Sequence, residues 1–324
     1  LGETGGLLLT VAVSVLIIEA IIALMIFPRM LLEGVEFWTA AWQSIYIAAM
    51  AFTNTGFLPL ETGLAAYSGD VWFLTALMIA VVAGAIGFPV IYAISRNVLH
   101  PRRWSLHVKM TLVTFALLLV LGAVAYFVLE FNHAFAGLDP GQRVLQSLFL
   151  STMTRSGGFS TIDISQLDGS SLLVTDMLMF IGGGSASTAG GIKVTTFAIL
   201  FLASIAEARG RDDMEAYERR IPKDVLRLAV SVVLWGATTV AAASIAILLI
   251  TDEPLDYVLF DVISAFATCG LSTGLTATTT DGAQYVLAAT MFFGRVGTVT
   301  LAAALAATQH PKLFRRPAER PIVG

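Results

Sequence analysis

The chain has 324 residues, 56% hydrophobic and 13% charged, with a formal net charge of −4 and a mean hydropathy of +0.81. Soluble domains carry about 25% charged residues, so the composition excludes an ordinary water-soluble globule and points to the lipid bilayer as solvent. No nucleic-acid partner is expected, and the single cysteine, Cys269, permits no disulfide within the chain.

In chain order, the apolar run Leu7–Phe27 is the first expected span, with Glu19 inside it. Phe37–Phe52 follows, too short for the roughly 20 residues that cross about 30 Å of hydrocarbon. It ends in Thr53-Asn54-Thr55-Gly56-Phe57. A half-helix that dips into the membrane and returns fits both facts, because irregular backbone at that depth survives only where it lines a cavity or is buried. Val71–Ile94 should return as one span containing Gly84-Ala85-Ile86-Gly87-Phe88-Pro89, with Pro89 expected to kink it. A basic linker holds Arg96, Arg102, Arg103 and Lys109.

The order then recurs. Met110–Leu129 is a span, Pro140–Thr154 a short helix, and Arg155-Ser156-Gly157-Gly158-Phe159 a loop. A glycine-broken segment returns to a second basic linker carrying Arg209, Arg211, Arg219, Arg220, Lys223 and Arg227. Leu226–Ile250 is a span, Leu255–Ala267 a short helix, and Thr268-Cys269-Gly270-Leu271-Ser272 a loop; Tyr285–Ala307 returns to a tail with Lys312, Arg315, Arg316 and Arg320. Gly56, Gly158 and Gly270 are spaced by 102 and 112 residues. That period implies three repeats, 1–107, 108–222 and 223–324. The expected fold is all-α and integral to the membrane: parallel helix–re-entrant loop–helix repeats around one pore. The basic linkers and C-terminus read as cytoplasmic, and alternate loops carry acids such as Glu36, Asp70, Glu130, Asp139 and Asp168, which would favour cations outside.

The three loops suit a cation filter. An ion leaving water needs its hydration replaced, and rings of backbone carbonyls do this. Glycine allows the turns that aim successive carbonyls at an axis, and each preceding half-helix presents its partially negative C-terminus. Any one loop could be an ordinary tight turn; the shared shape at three equivalent positions favours a filter. Gly182-Gly183-Gly184-Ser185-Ala186-Ser187-Thr188-Ala189-Gly190-Gly191 should break a helix, since each glycine costs about 1 kcal/mol. Helix packing through small residues is one reading; a flexible intramembrane gate beneath the filter is the other. It is no phosphate loop, because Ile192 separates Gly191 from Lys193. Arg295, inside a span, is expensive there and should bind the glycine-rich loop. Lys193 either faces the cytoplasmic pore or snorkels. Arg155 should brace the loop behind it, Asp261 should be a local structural partner, and Trp38, Trp42, Trp72 and Trp104 read as interface anchors.

These segments together resemble the Trk/Ktr/HKT superfamily of K⁺ transporters, membrane subunit. The resemblance is carried by Phe52–Phe57, Thr154–Asp163, Phe180–Leu200, Thr268–Thr276 and Gly294–Leu301. It implies four repeats around one pore, so three of an expected four are visible and the first, with its own filter, is expected to be absent. It implies filter backbone from Asn54, Thr55, Gly56, Phe57, Ser156, Gly157, Gly158, Phe159, Thr268, Cys269, Gly270 and Leu271, with K⁺ at the carbonyls of Thr55, Gly56, Gly157, Gly158, Cys269 and Gly270. It implies that Gly182–Gly191 is the gate, with Arg295 regulating passage. It further implies a homodimer in the plasma membrane, resting on a cytosolic ring of nucleotide-binding RCK/KTN-type subunits that touch the two basic linkers. K⁺ is then the transported ion and the chain holds no cofactor. Relatives with serine in the first filter pass Na⁺, so Na⁺ or Na⁺-coupled K⁺ transport stays open.

A secondary transporter with broken helices would place ligands beside the break, and Gly182–Gly191 carries no acid. A membrane enzyme would need clustered His, Asp, Glu or Cys; His100, His107, His133 and His310 all lie in or beside loops.

Overall fold

The structure, a computed structural model, describes residues 2–60, 63–98, 100–211 and 213–297. The end of the expected span Tyr285–Ala307, the tail basics Lys312, Arg315, Arg316 and Arg320, and His310 lie outside the described residues.

The architecture is helical, as expected. Helices α1 (Gly2–Leu32), α5 (Leu106–Leu129) and α9 (Lys223–Leu248) are continuous and, among the described residues, are long and apolar enough to cross a membrane. After each comes a short helix: α2 (Phe37–Phe52), α6 (Pro140–Met153) and α10 (Leu255–Phe266). None of the three reaches the length of a span. The returning elements differ. They are α3 (Val71–Ile86) with α4 (Phe88–Asn97), then α7 (Gly169–Phe180) with α8 (Val194–Ala208), and then the short α11 (Leu275–Thr278) and α12 (Asp281–Phe292), which runs into a π-helical turn at Phe293–Gly297.

The expected single span Val71–Ile94 is two helices bent by 101°. The break falls at Gly87, whose φ of +90° suits a residue without a Cβ. Pro89 stands in the first turn of α4, where its missing N–H costs nothing. The proline therefore begins a new helix rather than kinking an old one.

Several of the loop acids cap helices. Side chains of Glu36, Asp70, Asp139 and Asp168 accept from backbone N–H groups in the first turns of α2, α3, α6 and α7, satisfying donors that a helix start leaves open. Asp70 also pairs with Arg29 at 2.5 Å, tying α3 to the end of α1. Glu130 is buried and accepts from the N–H groups of Ala134 and Asp168, both at 3.1 Å. These contacts hold the carboxylates to the scaffold while leaving them charged.

The second basic linker folds into a hairpin, β1 (Met214–Ala216) against β2 (Arg219–Ile221). Its turn residues Tyr217 and Glu218 both have positive φ, the geometry that matches strand twist in two-residue turns. Met214 and Ile221 bury their side chains with Met110, Ala198 and Ala206, so the arginines between them point out.

Two apolar clusters flank the second loop. One gathers α1, α2 and α3 around Phe149, Met153 and Phe159; the other gathers α7, α9 and α10 around Phe260 and Phe266. On the outer surface Leu16, Leu24, Leu117, Leu121, Leu234 and Ile245 are each more than half exposed. Such a perimeter is costly in water and natural in hydrocarbon, where helices satisfy their own backbone.

Candidate functional site

Helices α2, α6 and α10 each stop in a loop whose backbone repeats one unusual pattern. Asn54 and Gly56 have φ of 56° and 74°, Ser156 and Gly158 have 68° and 73°, and Thr268 and Gly270 have 46° and 96°. Left-handed residues thus occur in every loop two positions apart. The glycine members follow from the sequence. Asn54 is of a type that tolerates this region; Ser156 and Thr268 are not, and their positive φ marks a constraint imposed by the surrounding structure.

The loops converge on one point. A Cβ built on Gly56 would lie 2.8 Å from the Gly158 Cα; one on Gly158 would lie 2.4 Å from the Cys269 carbonyl oxygen and 3.4 Å from the Gly270 Cα; one on Gly270 would lie 3.5 Å from the Thr55 carbonyl oxygen. Residues separated by more than 200 positions therefore meet backbone to backbone, which only glycine permits. The second loop is enclosed, with Arg155, Ser156, Gly157 and Phe159 buried. Thr55 and Phe57 of the first loop and Gly270 of the third are exposed and border a cavity of about 570 Å³ that Leu271, Thr188 and Arg295 also line.

The stretch Gly182–Gly191 leaves the helical path at Ile181 and rejoins it at Ile192, where the two residues pair as a parallel bridge. Several of its backbone groups pair with the ends of other elements, as burial favours. Gly184 N–H donates to Ala85 O at 2.7 Å, Thr188 N–H to Gly84 O at 3.2 Å, and Phe88 N–H to Ala186 O at 3.3 Å. The stretch thereby fills the α3–α4 break, capping both helix ends exposed there. Thr188 Oγ1 donates to Phe52 O at 3.0 Å, the carbonyl on which Gly84 also rests. Gly190 N–H donates to Ser156 Oγ at 3.2 Å, and a Cβ on Gly190 would meet Ala267 O at 2.3 Å. One loop thus touches the ends of all three short helices.

Two cations hold its consecutive carbonyls. Arg295 donates to Thr188 O, and Lys193 Nζ donates to Ala189 O at 2.7 Å. Lys193 also borders a second cavity, with Ser185, Ala186 and Thr195. Arg155 is fully buried; its Nη1 donates to Ile181 O at 2.6 Å, while Nε and Nη2 find no acceptor among the described residues. Sequence reasoning gave Arg155 a bracing role but not this acceptor, which lies 26 residues away.

Asp261, buried in α10, organises the segment C-terminal to the third loop. Its carboxylate accepts from Ser272 Oγ at 2.8 Å, Thr273 N–H at 3.0 Å and Thr276 Oγ1 at 3.0 Å. No group of three or more His, Cys, Asp or Glu side chains suited to a metal occurs among the described residues.

The family model TrkH, described as a cation transport protein, matches residues 3–316. The Ktr system potassium uptake protein D of Bacillus subtilis is 36% identical over 283 residues, covering 86% of this chain and 63% of that protein. The Ktr system potassium uptake protein B of Vibrio alginolyticus is 30% identical over 292 residues, covering 88% and 63%. The chain thus spans less than two thirds of either relative's length. The crystal structure of the potassium transporter TrkH from Vibrio parahaemolyticus superposes with a TM-score of 0.76 at 19% identity, covering 94% of this chain and 64% of that one. At that identity the likeness is one of fold.

Proposed function

This chain belongs to the TrkH family of cation transport proteins, and we propose that it is a pore-forming part of a K⁺ uptake system. The convergence of Gly56, Gly158 and Gly270, each following a left-handed residue two positions earlier, carries this reading. Alternating left-handed and extended or right-handed backbone aims successive carbonyls to one side, and a ring of such carbonyls replaces the hydration of a cation. Thr55, Gly56, Gly157, Gly158, Cys269 and Gly270 would supply those carbonyls. The C-terminal ends of α2, α6 and α10 add their partial negative charge. The contacts themselves are neutral oxygens, weak enough for an ion to leave again, which suits passage down a gradient.

Beneath them, Gly182–Gly191 would act as the gate. It is stapled to three short-helix ends and held by Arg295 and Lys193. A bound loop of this kind blocks passage, and a loop so rich in glycine has the backbone freedom to move. Each cation on it also stands in the path of K⁺ and raises the electrostatic barrier. The chain would work as a homodimer in the plasma membrane with its linkers cytoplasmic. A cytosolic nucleotide-binding partner would dock on Arg102, Arg103, Arg209, Arg211, Arg219 and Arg220, all exposed.

Expression of the full-length gene in a bacterium lacking K⁺ uptake tests the reading. Growth at low K⁺ supports it, and a Na⁺ requirement would add coupling to that ion. Failure to rescue, by protein shown to reach the membrane together with its regulatory subunit, would overturn it.

A further inference from the structure

We propose that Arg155 and Ser156 couple the gate to the filter, so that opening the loop changes the ion affinity of the carbonyl ring; this rests on the filter and gate reading above. Both residues belong to the second filter loop, and each grips a different end of Gly182–Gly191. Arg155 holds the entering end through Ile181 O at 2.6 Å. Ser156 accepts from Gly190 N–H at the leaving end, 3.2 Å away. The Ser156 hydroxyl also donates to Ala267 O at 3.0 Å, at the C-cap of α10, from which the third filter loop departs.

The chemistry makes these contacts consequential. Arg155 is fully buried; among the described residues its guanidinium donates to Ile181 O, and no carboxylate pairs with it. A buried guanidinium that loses such an acceptor must find another or move, because leaving it unsatisfied is expensive. Movement of Arg155 shifts Ser156 and Gly157 directly, and Ser156 already sits at a positive φ of 68° that packing must enforce. Withdrawal of Gly190 frees the Ser156 hydroxyl, and its bond to Ala267 carries the change to the third loop. The two residues are positioning residues: they act on the ion through the backbone they hold. Reciprocity applies as well, because a gate that alters ion affinity is itself held shut or released by ion occupancy to the same degree.

The test uses rubidium uptake by the full-length transporter, normalised to protein in the membrane. Four chains are compared: the unaltered chain, Ser156→Ala, a chain lacking residues 185–190, and the two changes combined. Arg155→Gln is run in parallel. The expected result is a half-saturation constant shifted about tenfold by Ser156→Ala, within the usual 5–150-fold range of such couplings. The loop deletion should shift it likewise while raising the maximal rate. The combined chain should show well under the product of the two separate shifts, because the deletion already removes the Gly190 donor and leaves Ser156 only its bond to Ala267. If Ser156→Ala multiplies its full effect onto the deletion, the residue acts locally and the coupling is wrong. If the deletion leaves the maximal rate unchanged, the gate reading fails and the coupling with it. Should Arg155→Gln not reach the membrane, the serine series decides alone.

Discussion

The guanidinium of Arg295, in the turn that ends α12, donates to the backbone carbonyl of Thr188, 107 residues earlier in the chain. The same threonine's hydroxyl donates to Phe52 O at the end of α2. One residue of the glycine-rich loop is therefore held at its carbonyl by a charge and at its hydroxyl by a short helix. Lys193 repeats the first contact on the next carbonyl.

Replacing Arg295 with glutamine should raise the maximal rate of rubidium uptake several-fold. The charged hydrogen bond, worth about 1.5–3 kcal/mol, and the positive barrier both disappear. Lys193→Gln should act in the same direction and less strongly, since Arg295 borders the cavity beside Thr55 and Gly270 and Lys193 does not. Uptake at or below the unaltered rate in both variants would place the gate elsewhere.

Gly158→Ala should abolish uptake while the protein still inserts. The added methyl would sit 2.4 Å from Cys269 O, and the residue's φ is +73°. Membrane abundance by immunoblot alongside rubidium uptake separates insertion from transport. Normal uptake at normal abundance would remove this loop from the filter.

Gly84→Ala and Gly294→Ala should lower the melting temperature in detergent. Each new Cβ would fall 1.9 Å from a short-helix carbonyl, Phe52 O and Phe266 O respectively, so the helices must separate, at about 1–3 kcal/mol each. Gly34 provides the contrast. Its φ is +83° but nothing lies within 4 Å of its Cβ position, so Gly34→Ala carries only the conformational penalty of about 1 kcal/mol. Equal melting shifts for all three would mean that close approach is not what the first two glycines provide.

Asp261→Asn should loosen the segment after the third loop. The carboxylate accepts from Ser272, Thr273 and Thr276, and an amide offers one acceptor where the acid offers two. Faster hydrogen exchange across residues 272–276 is expected, with a loss of about 2 kcal/mol in stability. Unchanged exchange there would show that these contacts do not hold the segment.

Much of the architecture is legible from residue chemistry alone. Apolar runs such as Met110–Leu129 can only be spans, because nothing else pairs every backbone group in hydrocarbon. The length of Phe37–Phe52 already rules out a crossing. The three glycine loops announce themselves by recurrence, and five glycines near residue 186 cannot continue a helix. Acidic residues ahead of α2, α3, α6 and α7 stand where helix starts need acceptors. The sequence therefore determined where the chain enters the membrane, where it breaks and which residues tolerate the breaks. The tertiary structure alone decided what each break meets. The 101° bend falls at Gly87 rather than Pro89, because residues 184–188 cap the two helix ends there. Asn54, Ser156 and Thr268 take positive φ where their loops meet, and Ser156 is tied there to Ala267, 111 residues away, and to Gly190. Arg155 could have paired with any acceptor; burial beside α7 leaves it Ile181. Periodicity and composition act over a few turns of chain. The joining of the three short-helix loops to the glycine-rich loop depends on close approach between distant backbones, which no local pattern encodes.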